Sequence, residues 1–178
     1  TFAETFGDMA FTLYSHAVSL RDLGCTQSPM NAWITLNGVE TLPLRMERHV
    51  ENAQKVAGFL QQHPSVEWVS YAGLSSSPYY QLAQKYLQGK AGSVFTFGIR
   101  GGYESGLRLL EKVELFSHVS NIGDSRSLIL HPASTTHRQL SDEERLTAGA
   151  GPEVIRLSVG IESAQDLIAD LEQALEGL

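Results

Sequence analysis

The chain has 178 residues, 42% hydrophobic and 19% charged, with a formal net charge of -7 and a single cysteine. That length carries one domain with a sizeable core, and the acidic balance offers no basic field to recruit nucleic-acid phosphates. One cysteine excludes an internal disulfide framework, which fits a reducing, cytoplasmic setting. Cys25 itself reads as a small core residue rather than a nucleophile. No apolar run reaches the roughly eighteen residues of a membrane span. Residues 1–6 lack the basic start and apolar middle of a signal peptide. Without a starting methionine, the chain is expected to be part of something longer.

Residues 2–23 read as helix, because Phe2, Phe6, Met9, Leu13, Ala17 and Leu20 recur at spacings of three and four. Gly24 is a natural stop. Ser28 and Pro29 open a second helix, serine as cap and proline in the first turn. Met30, Trp33, Leu36 and Val39 give it an apolar side. Pro43 should kink or break it. The pattern resumes through Leu44, Val50, Ala53, Val56, Ala57 and Leu60 and ends near His63-Pro64. Residues 29–62 therefore form one long kinked helix or two abutting ones.

Branched and aromatic residues then mark short strands near 66–70 and 93–99. A helix from Ser77-Pro78 to about Leu87 lies between them. Gly101-Gly102 turns the chain into a helix near 103–112, with Leu107, Leu109 and Leu110 inward. Phe116 to Val119 is a brief extended piece. Strands follow near 127–131 and 154–159, separated by a helix start at Ser141-Asp142-Glu143-Glu144, a cap with acids at the positive end of the dipole. Ser163 begins a last amphipathic helix with Leu167, Ile168, Leu171 and Leu175. The expected fold is α/β (α+β-like): a three- to five-stranded, largely antiparallel sheet with helices packed mainly on one face.

Few residues point to chemistry. Residues 98–102 lack the spacing of a phosphate loop and read as a strand-to-helix turn. His131 and His137, six apart across a proline, match no metal pattern. Ser134 has no nucleophile elbow and no obvious base. Glu47, Arg48, Glu51 and Asn52 read as a solvated helix face. Arg156 differs: beside Ile155, Leu157 and Val159, a guanidinium is costly to bury without an anion. It either makes an internal salt bridge, for example to Glu162 or Asp124, or captures a carboxylate bidentately. Asn121 and Thr136 are polar groups of the kind that complete such a pocket; spacing leaves their convergence open.

At these residues the chain resembles a known family. Residues 121–137 and 154–162 resemble the pyridoxal-phosphate enzymes of cysteine and methionine metabolism, nearest to their O-acetylhomoserine sulfhydrylase branch. Residues 5–8, 20–24, 28–31, 40–49, 76–80 and 95–98 match as well. The resemblance implies the C-terminal small domain of the aspartate-aminotransferase type (fold type I), residues 29–178, preceded by an interdomain helix over 1–28. It implies pyridoxal 5'-phosphate as cofactor of the intact enzyme, with O-acetyl-L-homoserine and sulfide or methanethiol as substrates. It further implies a missing N-terminal cofactor domain as partner and homo-oligomeric assembly.

By the same resemblance Arg156 binds the substrate carboxylate, Asn121 stands beside it where many members have serine, and Thr136 lines the pocket. His137, Ser134 and Arg126 belong to loop architecture. The family's cofactor-bearing lysine follows a serine or threonine, a context that Lys55, Lys85, Lys90 and Lys112 all lack. No catalytic, cofactor-binding or metal-binding residue is therefore assigned, and the chain alone is expected to be inactive. Two alternatives stand: a free-standing, non-catalytic binding module, or a piece of a related lyase such as methionine γ-lyase. Asn121 counts against the lyase.

Overall fold

The computed structural model describes all 178 residues. They divide into two compact units, Thr1–Leu42 and Pro43–Leu178. The expected single helix over residues 2–23 is broken at Gly7 (φ 49°, ψ -125°), where the chain folds back and brings the Phe2 ring edge-on to Tyr14 at 5.3 Å. The helical run of the first unit comprises α1 (Phe2–Phe6), a 3-10 turn (Gly7–Met9), α2 (Ala10–Tyr14), a π-helical segment (Ser15–Leu20) and α3 (Arg21–Leu23). Gly24 ends the run in the left-handed conformation at φ 65°, which a side chain would resist. The break at Gly7, and the π-helical segment after it, prevent one apolar stripe from running from Phe2 to Leu20; Phe6, Met9, Phe11 and Leu20 are exposed. Cys25 is exposed as well, not a core residue.

Helix α4 (Pro29–Gln62) is one continuous helix with Pro43 inside it, and the two units divide at that proline. Ser28 caps it through Oγ, which accepts the Asn31 amide at 3.2 Å. The helix stops just before His63-Pro64, where proline disfavours helix in the residue ahead of it.

The second unit is built on a four-stranded sheet of β1 (Val66–Ser70), β2 (Val94–Ile99), β3 (Leu128–Leu130) and β4 (Val154–Ser158). The strand order is β1-β2-β4-β3 and every neighbouring pair is antiparallel. Helices α5 (Tyr80–Leu87), α6 (Gly102–Lys112), α7 (Asp142–Thr147) and α8 (Ala164–Leu175) connect or follow the strands. Helix α5 begins at Tyr80, beyond the Ser77-Pro78 start expected for it; Ser77 Oγ instead accepts the Tyr79 amide at 3.3 Å, in the turn before the helix. Ser141 and Glu144 form a complete capping box on α7.

Alternation along the strands sorts the two faces of the sheet. Phe95, Phe97, Ile99, Ile129, Ile155 and Leu157 form one buried cluster with Ala53, Val56, Ala57 and Leu60 of α4, Leu109 of α6, and Leu167, Leu171, Ala174 and Leu175 of α8. Helices thus pack on this face, as the sequence pattern implies. Thr96, Arg156 and Trp68 lie on the other face, half-buried or exposed. Gly98 makes room there: a Cβ at this position would run into the Trp68 ring.

Candidate functional site

Arg156 sits at the middle of β4, paired with Thr96 of β2 on one side and Leu130 of β3 on the other. Ile155 and Leu157 point into the core and are fully buried, so Arg156 points the opposite way and is only half-buried. This corrects the expectation drawn from its apolar neighbours. The guanidinium is not enclosed among them, and its desolvation cost falls well short of full burial.

The internal salt bridge is absent as well. Asp124 is taken by Arg126, through the Arg126 amide at 3.0 Å and Nη2 at 3.3 Å. That guanidinium holds the Asp124 carboxyl below its ordinary value. Glu162 is taken by Ser127, whose amide donates at 2.6 Å and whose hydroxyl donates at 2.9 Å. Arg156 has one hydrogen bond, from Nη2 to the Asn121 backbone carbonyl at 3.3 Å. A guanidinium carries five N–H donors in a planar fork, and the remaining donors suit a carboxylate.

Arg156 and Asn121 therefore come together, through a backbone carbonyl rather than through two side chains. The exposed Asn121 side chain accepts the Ile122 amide at 2.8 Å. Thr136 does not join them by any hydrogen bond; its hydroxyl lies 2.9 Å from His137 Nδ1. Ser134, expected to lack a base, has His131 Nδ1 at 3.0 Å. The Pro152 carbonyl, 2.9 Å from His131 Nε2, can only accept, so Nε2 carries the proton and Nδ1 the lone pair. Burial pushes the His131 pKa below its ordinary value, against the raising effect of the Pro152 bond. No carboxylate completes a triad, and the pair ties down the turn after β3. No group of three or more His, Cys, Asp or Glu side chains is arranged to hold a metal ion.

Three features around the site escaped the sequence reading. Thr96 is reached only through the β2–β4 register. The Glu162–Ser127 clamp spans distant positions. Asn52, expected on a solvated face with Glu47, Arg48 and Glu51, is fully buried. Its Nδ2 donates to the carbonyls of Gly160 at 3.0 Å and Glu162 at 2.8 Å. A signal was present: Asn52 adjoins Ala53 on the stripe of Val56 and Leu60, where a polar residue needs a partner.

A family model described as "Cys/Met metabolism PLP-dependent enzyme" matches residues 7–176. The chain belongs to this family. It is 51% identical over 172 residues to O-acetyl-L-homoserine sulfhydrylase 1 of Thermus thermophilus, covering 97% of this chain and 41% of that protein. It is 46% identical to a homocysteine synthase of Schizosaccharomyces pombe, covering 98% of this chain and 41% of the relative. Among solved structures, an O-acetylhomoserine (thiol)-lyase from Campylobacter jejuni superposes with a TM-score of 0.86 at 46% identity. That match covers 97% of this chain and 41% of the other, and the Campylobacter protein carries a pyridoxyl-lysine phosphate. The chain thus spans about two fifths of the length of these relatives.

The family is pyridoxal-phosphate dependent, yet the lysines of this chain do not fit a covalent cofactor site. Lys55 pairs with Glu51 at 2.6 Å and Lys90 with Glu47 at 3.3 Å. Lys112 donates to the Glu176 carbonyl at 2.6 Å, and Lys85 lies over the Tyr86 ring. All four are exposed. The residues present fit the grip of an anion and not the anchoring of the cofactor.

Proposed function

We propose that this chain is the C-terminal portion of a pyridoxal-phosphate-dependent O-acetylhomoserine sulfhydrylase. Such an enzyme transfers the aminocarboxypropyl group of O-acetyl-L-homoserine to sulfide or methanethiol, giving homocysteine or methionine. The observation that carries the reading is 51% identity to a sulfhydrylase across 97% of the chain. Residues 29–178 are the small domain in this reading and residues 1–28 the interdomain segment. The partners are a cofactor domain and further copies of the enzyme, in the cytoplasm.

Pyridoxal phosphate, when bound, supplies the electron sink for the chemistry. The contribution of this chain is orientation. Arg156 grips the α-carboxylate through two parallel N–H···O bonds. Asn121 and Thr136 complete the wall of the pocket. Fixing the carboxylate end of a flexible amino acid removes rotational freedom, so that the acetate-bearing carbon reaches the reacting centre in one geometry.

The test is an assay of the full-length enzyme with O-acetyl-L-homoserine and sulfide, with the 178-residue chain alone as control. The full-length enzyme should form homocysteine. The chain alone should form none, should develop no stoichiometric visible band with pyridoxal phosphate, and should retain no label on lysine after borohydride. Release of methanethiol from methionine as the dominant activity would replace this reading with the γ-lyase.

A further inference from the structure

We infer that Glu162 is a positioning residue for the substrate carboxylate, holding the loop that delivers Asn121 to Arg156; this rests on the reading of Arg156 given above. Glu162 follows the end of β4, six residues beyond Arg156. Its carboxylate accepts both donors of one buried residue, the Ser127 amide and the Ser127 hydroxyl. Ser127 is fully buried immediately ahead of β3, where the loop over residues 121–126 enters the sheet. The Ser127 hydroxyl oxygen also accepts the Gly160 amide at 2.8 Å, and the Ile161 amide donates to the Ser125 carbonyl at 2.9 Å. Gly160 is glycine because its Cα abuts this crossing: a Cβ would strike the Ser125 carbonyl, the Arg126 backbone and the Glu162 carboxylate.

The knot is fixed to the body of the domain from the other side. Asn52, buried on α4, donates to the carbonyls of both Gly160 and Glu162. A continuous chain of bonds therefore runs from α4 through the Glu162 backbone and carboxylate to Ser127 and the loop. It ends at the Asn121 carbonyl on Arg156 Nη2. Bonds to an ionised acceptor are shorter and stronger than neutral ones. One carboxylate engaging two donors of one residue also fixes the direction in which the loop leaves the sheet. Releasing that clamp lets Asn121 drift while leaving the Arg156 backbone paired on both sides within the sheet.

The experiment compares Glu162→Ala, Glu162→Gln and Arg156→Lys in the full-length enzyme. It reads KM for O-acetyl-L-homoserine, KM for sulfide, kcat and the thermal midpoint. Glu162→Ala should raise KM for the amino acid roughly tenfold, the effect of losing about one charge-assisted bond. KM for sulfide should stay unchanged and kcat should fall less than KM rises. Glu162→Gln keeps one carbonyl acceptor and should recover part of the loss; it also serves if the alanine variant fails to fold. Equal losses in both KM values and kcat, following a lowered thermal midpoint, would make Glu162 a staple and overturn the inference. Unchanged kinetics in both Glu162 variants beside a damaged Arg156→Lys would overturn it alone. An undamaged Arg156→Lys would overturn the carboxylate reading, and this inference with it.

Discussion

Asp170→Ala should be among the most destabilising single changes in the second unit. Asp170 lies on α8 and is nearly buried, yet no cation pairs with it. Its carboxylate takes three consecutive backbone amides instead. Oδ1 accepts from Glu114 at 2.8 Å; Oδ2 accepts from Leu115 at 2.9 Å and Phe116 at 3.0 Å. The segment so held is the one whose Ser117 amide and carbonyl bond Ser127 and Ile129 beside β3. Glu114 and Leu115 are exposed, so water can replace the carboxylate on their amides. Phe116 is buried, and its amide has no such substitute. A hydrogen bond to a charged group contributes about 1.5–3 kcal/mol, and an orphaned buried donor costs about 1–3 kcal/mol. Removing the carboxylate also relieves its own desolvation, which offsets part of that sum. A net loss of about 2–4 kcal/mol follows for Asp170→Ala. Asp170→Asn keeps one oxygen and should lose roughly half as much. Urea unfolding followed by circular dichroism measures both, with an unchanged m-value showing that the comparison is sound. A loss under about 0.5 kcal/mol for the alanine variant, the range of an ordinary surface substitution, would refute the three-amide account.

His131 gives a pH dependence of definite sign. Its folded pKa lies below the ordinary 6.5, so the unfolded chain binds the proton first. Stability from this group is present above 6.5 and is lost as pH falls toward the folded value, with a slope of at most about 1.4 kcal/mol per pH unit. His131→Gln should flatten that part of the urea-stability profile; parallel profiles for the two proteins would contradict the assignment. Association should follow from the first unit, where Phe11, Leu23, Met30, Trp33 and Leu36 are exposed together with Phe6 and Met9. Large apolar patches seek partners, and identical chains commonly meet about a two-fold axis. Light scattering should find the 178-residue chain self-associated, with Phe11→Glu and Trp33→Glu shifting it toward monomer. A monomer at every concentration would favour a self-sufficient module.

Local patterns in the sequence carried local structure far. All four strands lie where branched and aromatic runs place them, and the capping box at Ser141 and Glu144 was legible from two residues. What could not be read was which distant residues meet. Arg156 looked buried because its sequence neighbours are apolar, but strand alternation puts them on the other face. The β1-β2-β4-β3 order, which brings Thr96 beside Arg156, is set by pairing across long connections. Ser134 met its base only once Pro152 and the turn after β3 fixed the His131 ring. Residues 2–23 are periodic in sequence, yet that periodicity gave no sign of the break at Gly7 that turns Phe2 onto Tyr14.

The measurement that bears most directly on the account is the kinetics of Arg156→Lys in the full-length enzyme. Lysine keeps the charge but loses the planar fork. One charge-assisted bond lost is about 1.5–3 kcal/mol. With O-acetyl-L-homoserine, kcat/KM should therefore fall roughly tenfold or more, while the cofactor spectrum stays that of the parent. An unchanged kcat/KM would contradict the account and leave Arg156 as a structural residue that braces the loop at Asn121.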